Sequence, residues 1–145
     1  MGAAAPLMRA VLDSNILLSA LISPHGAPHR IYEAWRRGRF DLVTCPTQLD
    51  EVRRASRYPK LRAILQPHRV GAMVNALAAS AVPVPDPPPR GHEADDPDDA
   101  WLLTLADAAE ADWLVTGDRR SGLLARGRVG RARIATAAAF CDLAL

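Results

Sequence analysis

The sequence predicts an α/β protein, a three-layer α/β/α sandwich with a mainly parallel central sheet, and three observations carry that prediction. Short apolar runs at residues 10–12, 40–45 and 113–116 have the length and composition of buried strands. Apolar residues at helical spacing fill the stretches between them. Strands alternating with helices join in parallel, with helices covering both faces of the sheet.

Taken in order, Ala10, Val11 and Leu12 form the first strand, which stops at Asp13, Ser14 and Asn15, side chains that favour caps and turns over strand interiors. Ile16, Leu17, Ala20 and Leu21 then recur at helical spacing. Residues 23–27 make a turn, and Pro28 suits the first position of a second helix, with Ile31, Ala34 and Trp35 inward and Arg30, Arg36, Arg37 and Arg39 outward. Gly38 ends that helix before the strand at 40–45. Pro46 opens a third, on which Leu49 and Val52 face inward while Asp50, Glu51, Arg53 and Arg54 are left for solvent or a site. Tyr58, Pro59 and Lys60 interrupt the helical pattern. Val70, Met73, Val74 and Leu77 support a later helix leading into an edge-like strand at 82–84. Residues 86–91, with three successive prolines, form a stiff connection. A helix with Leu102, Leu105, Ala106 and Ala109 inward follows, then the strand at 113–116. A basic stretch spans 119–133, a last short strand 134–136, and a closing helix 137–145.

At 145 residues, with 49% hydrophobic and 23% charged residues, the chain fits one globular domain, 1–145, with a disordered start at 1–7. The net charge of +2 permits a polyanionic partner without requiring one. Lys60 is the sole lysine. Arginine offers bidentate phosphate contacts, but its abundance is equally a mark of a GC-rich genome. Cys45 and Cys141 stand apart in apolar segments, which argues against a zinc site and for a reduced, cytoplasmic setting. No stretch approaches the ~18 apolar residues of a membrane span, and no secretory leader is expected. His25, His29, His68 and His92 show no metal-ligand spacing and are expected on the surface. Trp35, Trp101 and Trp113 are expected in the core.

Two apolar strands each end in an aspartate, Asp13 and Asp118, and an acidic cluster, Glu93, Asp95, Asp96, Asp98 and Asp99, opens the helix before the second of those strands. In a parallel sheet the strand ends share one edge, so these carboxylates converge. Carboxylates within roughly 4–6 Å raise one another's pKa unless a cation neutralises them. Hard ions such as Mg²⁺ or Mn²⁺ take oxygen ligands. A pair of ions about 4 Å apart can support phosphodiester cleavage. Any of Asp96, Asp98 and Asp99 could equally cap the helix, and Asp13 or Ser14 the first one.

The stretches Leu-Asp-Ser-Asn-Ile-Leu at 12–17, Leu-Asp-Glu-Val at 49–52, Asp-Pro-Asp-Asp-Ala at 96–100 and Ala-Asp-Trp-Leu-Val-Thr-Gly-Asp at 111–118 together resemble the PIN-domain ribonucleases. Within that family the resemblance is to the toxins of bacterial toxin–antitoxin modules, and it runs from Met8 to Phe140. It implies a PIN-like fold and an endoribonuclease dependent on one or two Mg²⁺ or Mn²⁺ ions, leaving a 3′-hydroxyl and a 5′-phosphate. It implies Asp13, Glu51, Asp99 and Asp118 as catalytic, metal-ligating residues, with Ser14, Asn15 and Thr116 orienting them. The implied partners are RNA, with single strands favoured, a small antitoxin protein and a second copy of the chain. The alternative from another class is a silent PIN-like domain that binds RNA or a partner without cutting. Relatives commonly carry another acid soon after the final Gly-Asp, where this chain has Arg119, Arg120 and Ser121. Arg119 and Arg120 follow directly on the proposed ligand Asp118 and are read as substrate-binding residues that contact phosphates flanking the cut, with a solvated loop as the ordinary alternative.

Overall fold

Strand β1 (Arg9–Leu12) is buried at its last three residues and lies in the middle of the sheet. The computed structural model describes residues 7–87, 97–117 and 122–145. From β1 the chain continues through α1 (Ser14–Ile22), α2 (Ala27–Arg36), β2 (Asp41–Thr44), α3 (Pro46–Ala55), α4 (Pro59–Arg62), α5 (Pro67–Ser80) and β3 (Val82–Pro83). It then passes through α6 (Pro97–Ala108), β4 (Trp113–Val115), α7 (Leu123–Arg126), β5 (Arg128–Val129), β6 (Ala132–Ala135) and α8 (Ala137–Ala144). Proline opens α3, α4, α5 and α6. Its missing N–H falls where a helix has no acceptor for it, and its fixed φ suits the first turn.

Three local differences from the sequence reading have simple causes. Residues 58–60 interrupt α3, but Pro59 also starts α4, because proline excludes Tyr58 from helical geometry while suiting the first helical position itself. Within the basic stretch lie α7 and β5, of four and two residues, too short to show a period. Gly122 and Gly127 bound α7 with φ near +80° and +77°, backbone that a side chain would strain. The first helix begins at Ser14, because Asp13 itself is the N-cap.

The sheet runs in the order β3-β2-β1-β4-β6-β5, parallel throughout except for the β5–β6 hairpin. Alternation along the central strands builds two cores. Ala10, Leu12, Leu42, Trp113 and Val115 pack under α1, α2, α3, α5 and α8. Val11, Val43, Leu114 and Ile134 face Leu102, Leu105 and Ala106 of α6. This is the three-layer α/β/α sandwich. No helix among the described residues is long and apolar enough to cross a membrane. Cys45 and Cys141 are buried and free. Trp35 and Trp113 are in the core, and Trp101 packs half-buried on the second cluster.

The closing helix is locked by Phe140, which is fully buried with edge-on contacts to Phe40 at 5.5 Å and Trp113 at 5.4 Å between ring centres. Such pairs add to area burial, and the cavity left by truncation adds to the loss. Phe140→Ala should therefore lower the unfolding free energy by about 3–5 kcal/mol, read by urea denaturation. A loss below ~1 kcal/mol would mean that α8 is not part of the cooperative core.

Candidate active site

The strand order reverses beside β1: β2 and β3 extend the sheet on one side, and β4, β6 and β5 on the other. Open α/β sheets place their ligands beyond the carboxyl ends of the strands at such a reversal. Asp13 is the first residue beyond β1. Its N–H donates to the Val115 carbonyl at 2.9 Å, extending the β1–β4 ladder by one step and fixing the backbone at that edge.

The Asp13 side chain, 6% exposed, is held at both oxygens. Oδ1 accepts the Asn15 backbone N–H at 3.1 Å, the capping bond of α1, and Oδ2 accepts the Thr116 hydroxyl at 3.0 Å. Capping and site-building are therefore one arrangement: the first oxygen starts the helix while the second is anchored to the end of β4. Thr116 is wholly buried and lies beside Asp13 because Leu12 pairs with Val115. Asn15 contributes its backbone N–H here, and its side chain is exposed. The Ser14 hydroxyl is buried and has no hydrogen-bond partner among the described residues.

Asp99, 5% exposed, stands in the first turn of α6. That helix ends four residues before β4 begins and packs along β1 and β4. Its C-terminal end is thus at the amino edge of the sheet, and its first turn at the same carboxyl edge as Asp13.

Glu51 comes from α3, and a residue that the sequence reading passed over holds that helix in place. Gln48 is fully buried; its amide donates to the Leu12 carbonyl and its oxygen accepts the Thr44 hydroxyl at 2.8 Å. One side chain thereby joins the ends of β1 and β2 to α3. Glu51 follows three residues later on the same flank, half-buried. A glutamine with leucine and valine for helical neighbours was the available signal, since a buried amide must find partners. Leu49, expected inward, is only half-buried, and Gln48 takes the inner place beside Val52.

Asp118, Arg119, Arg120 and Asp96 lie outside the described residues, as does the side chain of Asp98. Among the described residues no three acidic, histidine or cysteine side chains are grouped closely enough to hold a metal ion. What is described is chemically uniform. Asp13 and Asp99 stand at the carboxyl edge with the Ser14 hydroxyl, and Glu51 on the flank of α3; all are oxygen donors, the type that hard divalent cations take. An unpaired buried hydroxyl is itself an expected companion of an ion or water site. Asp112, by contrast, belongs to the opposite edge, accepting the Arg9 N–H at 2.8 Å and pairing with Arg131 at 2.8 Å. His25 and His68 are exposed, and His29 lies against the Ala20 carbonyl at 3.3 Å.

Cys45, at the N-cap of α3, is no rival nucleophile. Burial pushes its thiol up to about 11, with the Asp86 carboxylate adding to the effect against the helix N–H of Gln48. Asp86 itself is held below its ordinary value by the Thr47 backbone N–H, which it accepts at 2.8 Å.

The profile of the PIN domain matches residues 9–120 of the chain. An uncharacterized protein of the archaeon Methanocaldococcus jannaschii is 28% identical over 113 residues, which cover 77% of this chain and 72% of that protein.

Two outcomes follow from the geometry. Gln48→Leu leaves the Leu12 carbonyl and Thr44 hydroxyl without their amide partner and should cost about 1–3 kcal/mol in denaturant titrations. A neutral result would mean that the amide does not brace the edge. Because its folded pKa is raised, Cys45 contributes stability that is fully present below the ordinary thiol value of 9.0 and is lost as pH rises toward about 11. Cys45 should accordingly resist iodoacetamide at pH 8 in the native protein and react once urea unfolds it; prompt native labelling would contradict its burial.

Proposed function

The chain belongs to the PIN-domain family, a nuclease family, and on that premise we propose that it is a metal-dependent endoribonuclease, acting as the toxin of a toxin–antitoxin module in the cytoplasm. The observation that supports the reading best is the Asp13 carboxylate, buried at the sheet's switch point and gripped at both oxygens, with Asp99 buried at the same edge. A carboxylate is costly to remove from water and persists where its charge is used or balanced.

In this reading Asp13, Asp99 and Glu51, with Asp118 from the sequence, hold one or two Mg²⁺ or Mn²⁺ ions. When bound, these would neutralise the scissile phosphate and make water a competent nucleophile at neutral pH. The protein's own part is positional. The Thr116 hydroxyl and the Asn15 N–H fix the rotamer of Asp13, and Gln48 fixes the helix that carries Glu51. Ser14 supplies a further oxygen beside them. Arg119 and Arg120, directly after Asp118 in sequence, would contact phosphates on either side of the cut, since an always-charged guanidinium is a poor proton carrier. A flexible single strand reaches such a recessed site more readily than a rigid A-form helix does.

The test combines binding and turnover. Millimolar Mn²⁺ should raise the thermal midpoint of the wild type, by mass action on the folded state, and Asp13→Asn should blunt that rise. Labelled single-stranded RNA should be cut with Mn²⁺, spared with EDTA, and cut by Thr116→Val roughly 10–100-fold more slowly, the usual cost of losing a group that orients a ligand. Cleavage that survives EDTA would overturn the metal-dependent reading. RNA that is bound but never cut would leave a silent PIN-like binding domain.

A further inference from the structure

Between Glu51 and Asp86 the sequence contains no carboxylate, yet it carries Arg53, Arg54, Arg57, Lys60, Arg62 and Arg69. With a net charge of only +2 for the whole chain, everything outside this segment is net negative. Positive charge is thus concentrated in the stretch of chain that builds the end of α3, α4 and α5.

The structure gives that charge a shape. A groove of about 530 Å³ runs between these helices, with the exposed side chains of Arg53, Arg57 and Arg62 at its rim and Leu65, Val70 and Val74 on its floor. Arg53 reaches Asp50 at 3.2 Å in a surface pair that solvent screens, and neither Arg57 nor Arg62 has an acidic partner among the described residues. Uncompensated guanidinium groups around an apolar floor complement a ligand with phosphates outside and flat apolar faces inside. Single-stranded nucleic acid has that construction, and proteins that hold it combine a cationic track with surfaces on which bases lie. The groove also lies within the usual size range of small-ligand pockets, too small for a duplex to enter.

Its position relative to the candidate active site supports the same occupant. Arg53 stands on α3, the helix that carries Glu51, and Arg57 lies in the turn just beyond its end. At 1.5 Å rise and 3.6 residues per turn, Arg53 lies roughly 3 Å along the axis from Glu51 and on the opposite flank of the helix, where the groove begins. A strand with one phosphate at the acidic edge would cross α3 and lay its neighbouring nucleotides into the groove. We infer that the Arg53–Arg57–Arg62 groove is a second binding site, seating single-stranded RNA outside the acidic edge. The inference rests on the reading that RNA is the substrate, and it concerns binding rather than cutting.

The experiment is therefore run without catalysis. Binding of a short fluorescent single-stranded RNA is followed by anisotropy in EDTA at several salt concentrations, for wild type, Arg57→Ala/Arg62→Ala and Arg36→Ala/Arg37→Ala. All four positions are exposed, so the variants should keep the wild-type thermal midpoint. The groove variant should bind about tenfold more weakly. Its plot of log affinity against log salt should be shallower by about 1.4, two phosphate contacts at roughly 0.7 each. The α2 variant should keep most of the affinity. Unchanged affinity and slope in the groove variant would overturn the inference. An equal loss in the α2 variant would also overturn it, by reducing the effect to net charge. So would RNA binding that is unaltered while an acidic polyglutamate peptide loses its hold. A wild type that never cuts RNA, together with a groove variant that still loses RNA affinity, would keep the groove and discard the nuclease reading.

Discussion

Asp13 keeps a carboxyl group almost out of water, and much of the carboxyl edge is arranged around satisfying it. Its two oxygens are satisfied from different directions, by the first turn of α1 and by the end of β4. Helix start and strand pairing are thereby coupled: if β4 shifted by one residue against β1, Thr116 would turn to the other face and Asp13 would lose its second partner. The register that pairs Leu12 with Val115 therefore has a polar reason as well as an apolar one. The Asp13 N–H bond to the Val115 carbonyl carries the same ladder one step past the strand.

On the other side of β1 the constraint is met by an amide. Gln48 spans from α3 to the Leu12 carbonyl and to Thr44, so β1, β2 and α3 share one buried polar junction immediately behind Asp13. Low dielectric makes such a junction demanding, because a fully satisfied network rigidifies its surroundings whereas a broken one is costly. The candidate site thus rests on two buried polar clamps, Thr116 toward β4 and Gln48 toward β2. The apolar layers above and below supply cohesion but not this alignment.

Much of this was legible in the sequence, because the signals were local. Three-residue apolar runs, prolines at helix starts and the halt at Asp13 each act through nearest-neighbour chemistry, and they located β1, α3 and β4 directly. Asp13 could be singled out since strand ends in a parallel sheet share an edge by topology alone, whereas Thr116 came only from the resemblance to the PIN-domain ribonucleases. What was not legible depends on tertiary placement. Gln48 looks like any polar residue on an amphipathic helix until the Leu12 carbonyl is seen beneath it. The elements α7 and β5 are shorter than any periodicity can register, so their arginines read as loop. The dual role of Asp13 also lay beyond sequence, because cap and site were posed as rival readings, whereas a carboxylate has two oxygens and uses one for each.

The separation of charge follows from the same architecture. Acids gather where parallel strands end, because that edge is where backbone turns expose N–H groups to hold them. The segment that becomes α3 to α5 is left with arginines, which would weaken the site if they faced it. Gln48, Val52 and Ala55 fix the inward side of α3, and helical geometry then turns Arg53 away from Glu51. The helix thus holds Arg53 on the flank opposite its half-buried Glu51. A single amphipathic helix, oriented by one buried amide, sets where Glu51 and Arg53 each stand.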